Sequence, residues 1–155
     1  MAQKPDFDLA AAHRYFAAEC FNRAWDLIDK PVRTPEEDQD MIHLNQASLY
    51  HWSQREDCTN RNLSVGNWQA SRIYALLGQA DNARRYAELS LHYGQAEGPF
   101  YLGYAHEALA RAALLAGKPE KVAEYLQQAQ QYLAQVTDPE DRELLANDLQ
   151  TIAAP

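Results

Sequence analysis

The chain has 155 residues, a formal net charge of −8 and two cysteines. At that length a folded domain buries roughly 70% of the surface its unfolded chain exposes, so one core forms without disulfide or metal. The acidic balance argues against general attraction to a phosphate backbone, and no apolar run approaches the roughly 18 residues a membrane-spanning helix needs. Neither nucleic acid nor membrane is therefore an expected partner. The opening residues, MAQKPDFDLAAAHRYF, lack the basic start and unbroken apolar stretch of a signal peptide, which points to the cytoplasm.

Helical periodicity runs through the whole chain. From Leu9, the residues Phe16, Ala17, Cys20, Phe21, Ala24, Trp25 and Ile28 recur at spacings of three and four and predict one helix with a buried face, ended by Pro31. Cys20 lies on that face, where a thiol packs as a small apolar group; with Cys58 it makes no ligand-spaced pair, and no disulfide is expected. Thr34-Pro35-Glu36-Glu37 signals a second start: a threonine cap, a proline in the first turn and a glutamate that closes a capping box. The polar stretch from Ser53 to Asn62 reads as the longest internal connection. A third helix carrying Leu63, Ala70, Ile73, Tyr74 and Leu77 is stopped by Gly78, and a fourth carries Ala83, Tyr86, Ala87, Ser90 and Leu91. Gly94, Gly98 and Pro99 separate it from a fifth, the Gly117-Lys118-Pro119 turn opens a sixth, and Asp138-Pro139 caps a short seventh. The expected architecture is all-α: helix pairs over about 8–52, 63–94 and 100–135, with a capping helix over about 139–152, in one domain.

An internal repeat is visible. Ala70 to Gly78 aligns with Leu109 to Gly117 at a shift of 39 residues, which matches Ser71 with Ala110, Arg72 with Arg111, Ala83 with Val122, Tyr86 with Tyr125 and Ser90 with Ala129. Small residues at Ser71, Ala110 and Ala83 let antiparallel helices approach closely, while aromatic and leucine positions fill the space between layers. This arrangement of small residue, turn glycine, small residue and aromatic resembles the tetratricopeptide repeat. Two departures are plain: the period is 39 in place of about 34, and the closing proline is missing from the first unit. The longer period is similar to looser bacterial repeats of about forty residues, and NRAWDLIDKPVRTPEEDQDM resembles bacterial repeat proteins that bring no activity with them. The resemblance implies a short right-handed superhelix of about seven helices that binds a protein or peptide on its concave face.

In such a repeat the first helix of each pair lines the groove, which places Trp68, Arg72 and Ala75 beside Tyr104, Glu107 and Arg111. Two arginines at equivalent positions, with aromatic neighbours, suit an acidic peptide or a C-terminal carboxylate. The competing reading makes them structural: Arg111 pairs with Glu107 one turn earlier, and Trp68 packs on the first helix pair. The chaperone-binding clamp of the family is disfavoured, because Trp68 and Glu107 stand where basic or amide residues belong.

Catalytic and metal motifs are missing from the sequence. There is no GxSxG, no glycine-rich phosphate loop and no HExxH, and the paired carboxylates sit in first turns, where the helix dipole accounts for them. His43 and His51 lie eight residues apart on one helix, about 12 Å along its axis, and cannot share an ion. No cofactor, metal or catalytic residue is assigned. Two alternatives to an interaction module stay open: a small enzyme or metabolite-binding protein with a pocket drawing on Glu19, His51, Trp68 and Arg72, and a structural protein that covers its terminal repeat faces by forming homodimers.

Overall fold

Side-chain capping marks the start of three helices, where Asp8, Thr34 and Asp138 accept backbone amides of the first turn. The computed structural model describes residues 6–152, and among them 78% are helical, with no strand. The chain divides into two units, Met1–Thr59 and Asn60–Pro155.

The first unit is a helical hairpin of α1 (Leu9–Ile28) and α2 (Pro35–Ser53). Asp8 caps α1 by accepting from the Ala11 amide at 3.0 Å. The helix stops at Ile28, ahead of Pro31, because the residue before a proline is pushed out of the α region. Arg33 then ties the turn together, donating to the Lys30 carbonyl and, through Nε, to Asp38 at 2.8 Å. The expected capping box is present: Thr34 Oγ1 accepts from the Glu37 amide, and the Glu37 carboxylate accepts from the Thr34 amide at 3.0 Å. Ala17, Cys20, Ala24 and Ile28 are buried on α1, with Met41, Asn45 and Ser48 on α2. Phe16 departs from the predicted stripe and is exposed. Where the helices meet, Ser48 Oγ donates to the Ala17 carbonyl at 2.7 Å.

The second unit holds α3 (Asn60–Leu76), α4 (Ala80–Gly94), α5 (Pro99–Leu115), α6 (Pro119–Leu133) and α7 (Pro139–Gln150). α3 starts three residues before Leu63, since a polar first turn leaves no apolar periodicity to read. The bounds of α5 and α6 fall 39 residues after those of α3 and α4 at both ends of both helices. The two turns are likewise equivalent. Gly78 and Gly117 have φ of +73° and +66°, and the following residues, Gln79 and Lys118, donate back to the carbonyls of Tyr74 and Ala113 at 2.9 and 3.0 Å. Glycine enters this left-handed conformation without a Cβ clash, and the six-to-one bond ends the helix sharply.

Small residues hold the pairs close. Ser71 Oγ donates to the Ala83 carbonyl at 2.8 Å and Ser64 Oγ to the Ser90 carbonyl at 2.9 Å, both across the α3–α4 crossing. Gly103, at the place equivalent to Ser64, has another use: a Cβ there would lie 2.5 Å from Leu145 Cδ2, so the glycine makes room for α7. α5 is the central element, packed against α3, α4, α6 and α7 and buried nearly all round. Tyr104, Ala110, Ala113, Val122, Ala129, Val136, Leu145 and Leu149 form the main core of this unit.

Ala83 and Ala110 have no accessible surface. Ala83→Leu and Ala110→Leu are each expected to overpack a crossing and lower unfolding free energy by about 1–3 kcal/mol. Chemical denaturation checks this, and melting of both variants within a degree of the parent would show that the crossings are not close.

Candidate functional site

A residue and its neighbour four positions on share one helix face. Trp68 and Arg72 are such a pair on α3, and Glu107 and Arg111, each 39 residues later, are the equivalent pair on α5. Because α3 and α5 pack together, the two pairs meet. The Glu107 carboxylate is 0% exposed. Trp68 Nε1 donates to its Oε2 at 3.0 Å, Arg111 Nε donates to its Oε1, and Arg72 Nη1 lies 3.6 Å from that same oxygen. The indole of Trp68 stands edge-on to Tyr104, with ring centroids 4.9 Å apart.

Arg111 also reaches α7. Its Nη2 donates to the Asp148 carbonyl at 3.0 Å and to Thr151 Oγ1, while the Tyr104 hydroxyl donates to Asp148 Oδ2 at 2.8 Å. Burial, reinforced by the hydrogen bond to Asp148, pushes the Tyr104 hydroxyl far above the ordinary tyrosine range. Tyr104 is therefore a hydrogen-bond donor in this network.

Arg72 is treated differently by its surroundings. Among the described residues, the buried side-chain nitrogens with no hydrogen-bond partner are its Nε and Nη1. Burial, and next the positive charge of Arg111, depress its pKa, so the site holds a cation that is only partly compensated. The side chain is 22% exposed, and with Nε and Nη1 covered, that exposure falls on the alkyl stem and on Nη2.

The exposed part of Arg72 opens onto a trough of about 420 Å³ lined by Arg72, Ala75, Leu76, Arg111, Leu114 and Leu115. The three leucines are 40–43% exposed, an apolar rim above two guanidinium groups. Leu76 and Leu115 are themselves repeat equivalents, one turn after Arg72 and Arg111. The spacing that singled out the arginines could have found the leucines as well. Asp148 and Thr151 could not be found in this way, because α7 lies outside the repeat.

Of the residues expected at a groove, Trp68, Arg72, Tyr104, Glu107 and Arg111 do come together. Trp68, Tyr104, Glu107 and Arg111 bond chiefly to one another and to α7, and Arg72 retains free donors. Trp68 packs on Tyr104 within the second unit. Glu19 and His51 belong to the first unit. His51 lies beside His13, a residue absent from the sequence-derived set, with the two Nδ1 atoms 2.8 Å apart. Burial and then the charge of His13 disfavour protonation of His51. His106 bonds through Nδ1 to the Leu102 carbonyl at 2.8 Å, a structural role. Both cysteines are free, and burial pushes each thiol up. No described helix is long and apolar enough to cross a membrane. Comparison with protein-family models, curated proteins and solved structures gives no match.

The two arginines therefore differ in what they support. Arg111→Ala leaves the buried Glu107 carboxylate without its direct cation and is expected to cost about 3–5 kcal/mol. Arg72→Ala removes a cation with no hydrogen bond and is expected to cost about 1 kcal/mol. Urea denaturation of the two variants measures the difference, and equal losses would mean that both arginines are structural.

Proposed function

We propose that this chain is a cytoplasmic interaction module of tetratricopeptide-like type, and that the trough between α3 and α5 captures the free C-terminal carboxylate of a peptide whose last residue is apolar. The single observation that carries this reading is Arg72: a guanidinium with unpartnered nitrogens at the base of a leucine-rimmed trough. An unmade hydrogen bond of a buried polar group costs about 1–3 kcal/mol, more where the group is charged. Nε and Nη1 are covered, so an arriving carboxylate meets the guanidinium at its Nη2 edge and lowers the cost of the buried cation through its charge. It also offsets the repulsion between Arg72 and Arg111 that Glu107 only partly neutralises.

The division of labour follows from the same geometry. Glu107 fixes Trp68 and Arg111, Trp68 ties α3 to α5 and Arg111 ties α5 to α7, and Arg72 is held at the trough without being consumed by the network. A preorganised guanidinium loses little entropy when it binds, which favours recognition of a planar carboxylate. Leu76, Leu114 and Leu115 supply the apolar contact that separates such a peptide end from a small free anion. The resemblance to peptide-binding helical repeats supports the class of partner, and the trough sets two guanidiniums side by side on a chain of net negative charge.

A display library of peptides with random free C-termini tests the reading. It should select apolar final residues, C-terminal amidation should weaken binding about tenfold or more, and Arg72→Gln should do the same while leaving the melting temperature near that of the parent. Selection of sequences that bind equally well as amides would overturn it.

A further inference from the structure

The first unit contains a second chemical arrangement, unrelated to the trough. His13 on α1 and His51 in the last turn of α2 approach through their Nδ1 atoms, 2.8 Å apart, with ring centroids separated by 4.9 Å. A contact of this length needs one nitrogen to accept while the other donates, so at least one imidazole is neutral and its lone pair is directed at the other ring. The ring of Phe16 lies 5.4 Å from that of His51, and Tyr50 stands edge-on to it at 5.5 Å, which shields one side of the pair. A cavity of about 400 Å³ reaches His13, lined also by Arg14, Gln54, Arg55, Glu56 and Asp57. The Arg55 guanidinium there is matched by Asp57 at 2.8 and 2.7 Å and lies 3.9 Å over the ring of Trp52. Glu56 is exposed in the same cavity.

We propose that His13 and His51 form a two-imidazole site for a divalent transition cation of square-planar or octahedral preference, of which Cu(II) is the strongest binder. Nitrogens 2.8 Å apart and each about 2.0–2.1 Å from an ion subtend about 85–90° at it, the angle between adjacent ligands of a square plane or octahedron. A tetrahedral ion such as zinc needs roughly 3.3 Å between them, so the helices or rings must open further to take it. A turn of each ring about its χ2 redirects the two lone pairs from each other to the ion; the shared proton passes, by exchange with water, to Nε2 of the ring that donated it, so each neutral ring binds through Nδ1 and carries Nε2–H, with no net proton released. Among the described residues no third His, Cys, Asp or Glu stands within ligand reach of the pair, so water completes the coordination. The two ligands come from opposite arms of the hairpin, so the ion crosslinks α1 to α2, 38 residues apart in the chain.

The experiment is a titration of Cu(II) into the full-length, tag-free chain, followed by calorimetry and by electron paramagnetic resonance. One equivalent should bind with the hyperfine signature of two imidazole nitrogens. His13→Ala and His51→Ala should each weaken binding by about 100-fold, the loss expected when a chelate becomes a single ligand. His13→Gln, which keeps a hydrogen-bonding group against His51, should lose the ion equally while the chain keeps its helical circular dichroism. His43→Ala and His92→Ala should bind as the parent does. Absence of a bound equivalent, unchanged affinity in His13→Gln, or equal losses in the His43 and His92 variants would each overturn the proposal.

Discussion

A carboxylate with no access to water sets the terms for the second unit. Glu107 sits on the central helix α5 with its charge fully enclosed, and such a group is tolerable only if its oxygens are bonded and its charge is balanced. The indole of Trp68 takes one oxygen, Arg111 takes the other, and Arg72 adds a second positive charge at longer range. Each of these partners arrives from a defined place, so satisfying Glu107 fixes α3 against α5 and, through the other end of Arg111, α5 against α7. An apolar side chain in its place would tolerate several packings of these helices. The carboxylate favours the packing that brings Trp68 and Arg111 to its oxygens.

The 39-residue repeat explains how this constraint arose from ordinary parts. Equivalent positions of neighbouring units lie beside each other when the units stack, so position 68 of one unit meets position 107 of the next, and position 72 meets position 111. In one unit the pair is a tryptophan and an arginine, and in the other a glutamate and an arginine. The acid brings one carboxylate to a place that holds two guanidiniums. Arg111, one turn along the same helix as the carboxylate, wins the close contact; Arg72, on the neighbouring helix, is held at 3.6 Å with nitrogens to spare. The surplus donor and the leucines one turn further on come from the same repetition.

Much of this was legible in the sequence, and particular residues show why the rest was not. Thr34, Asp138, Gly78 and Gly117 mark helix ends by local chemistry, and local chemistry does not depend on the fold, so the seven helices follow from the chain alone. Arg72 and Arg111 were visible as repeat equivalents. Their inequality was not, because it depends on Asp148 and Thr151, supplied by a helix that has no counterpart in the repeat. Glu107 four residues before Arg111 reads as an ordinary surface pair; only the packing of α3 and α7 around α5 makes it buried. His13 was missed for a related reason. The sequence puts His43 and His51 on one helix, whereas the antiparallel register that sets Ser48 against Ala17 brings His13 opposite His51.

The central claim is that two arginines in equivalent positions do different work, Arg72 waiting for a carboxylate and Arg111 already holding one. Nuclear magnetic resonance of the arginine side-chain nitrogens reports on each separately. With N-acetyl-leucine as the smallest probe that joins a free carboxylate to an apolar group, the Arg72 Nε–H and Nη–H signals should shift and slow their exchange with water as the probe is added, while those of Arg111 stay in place. Signals of both arginines moving together, or of Arg111 alone, would contradict the account.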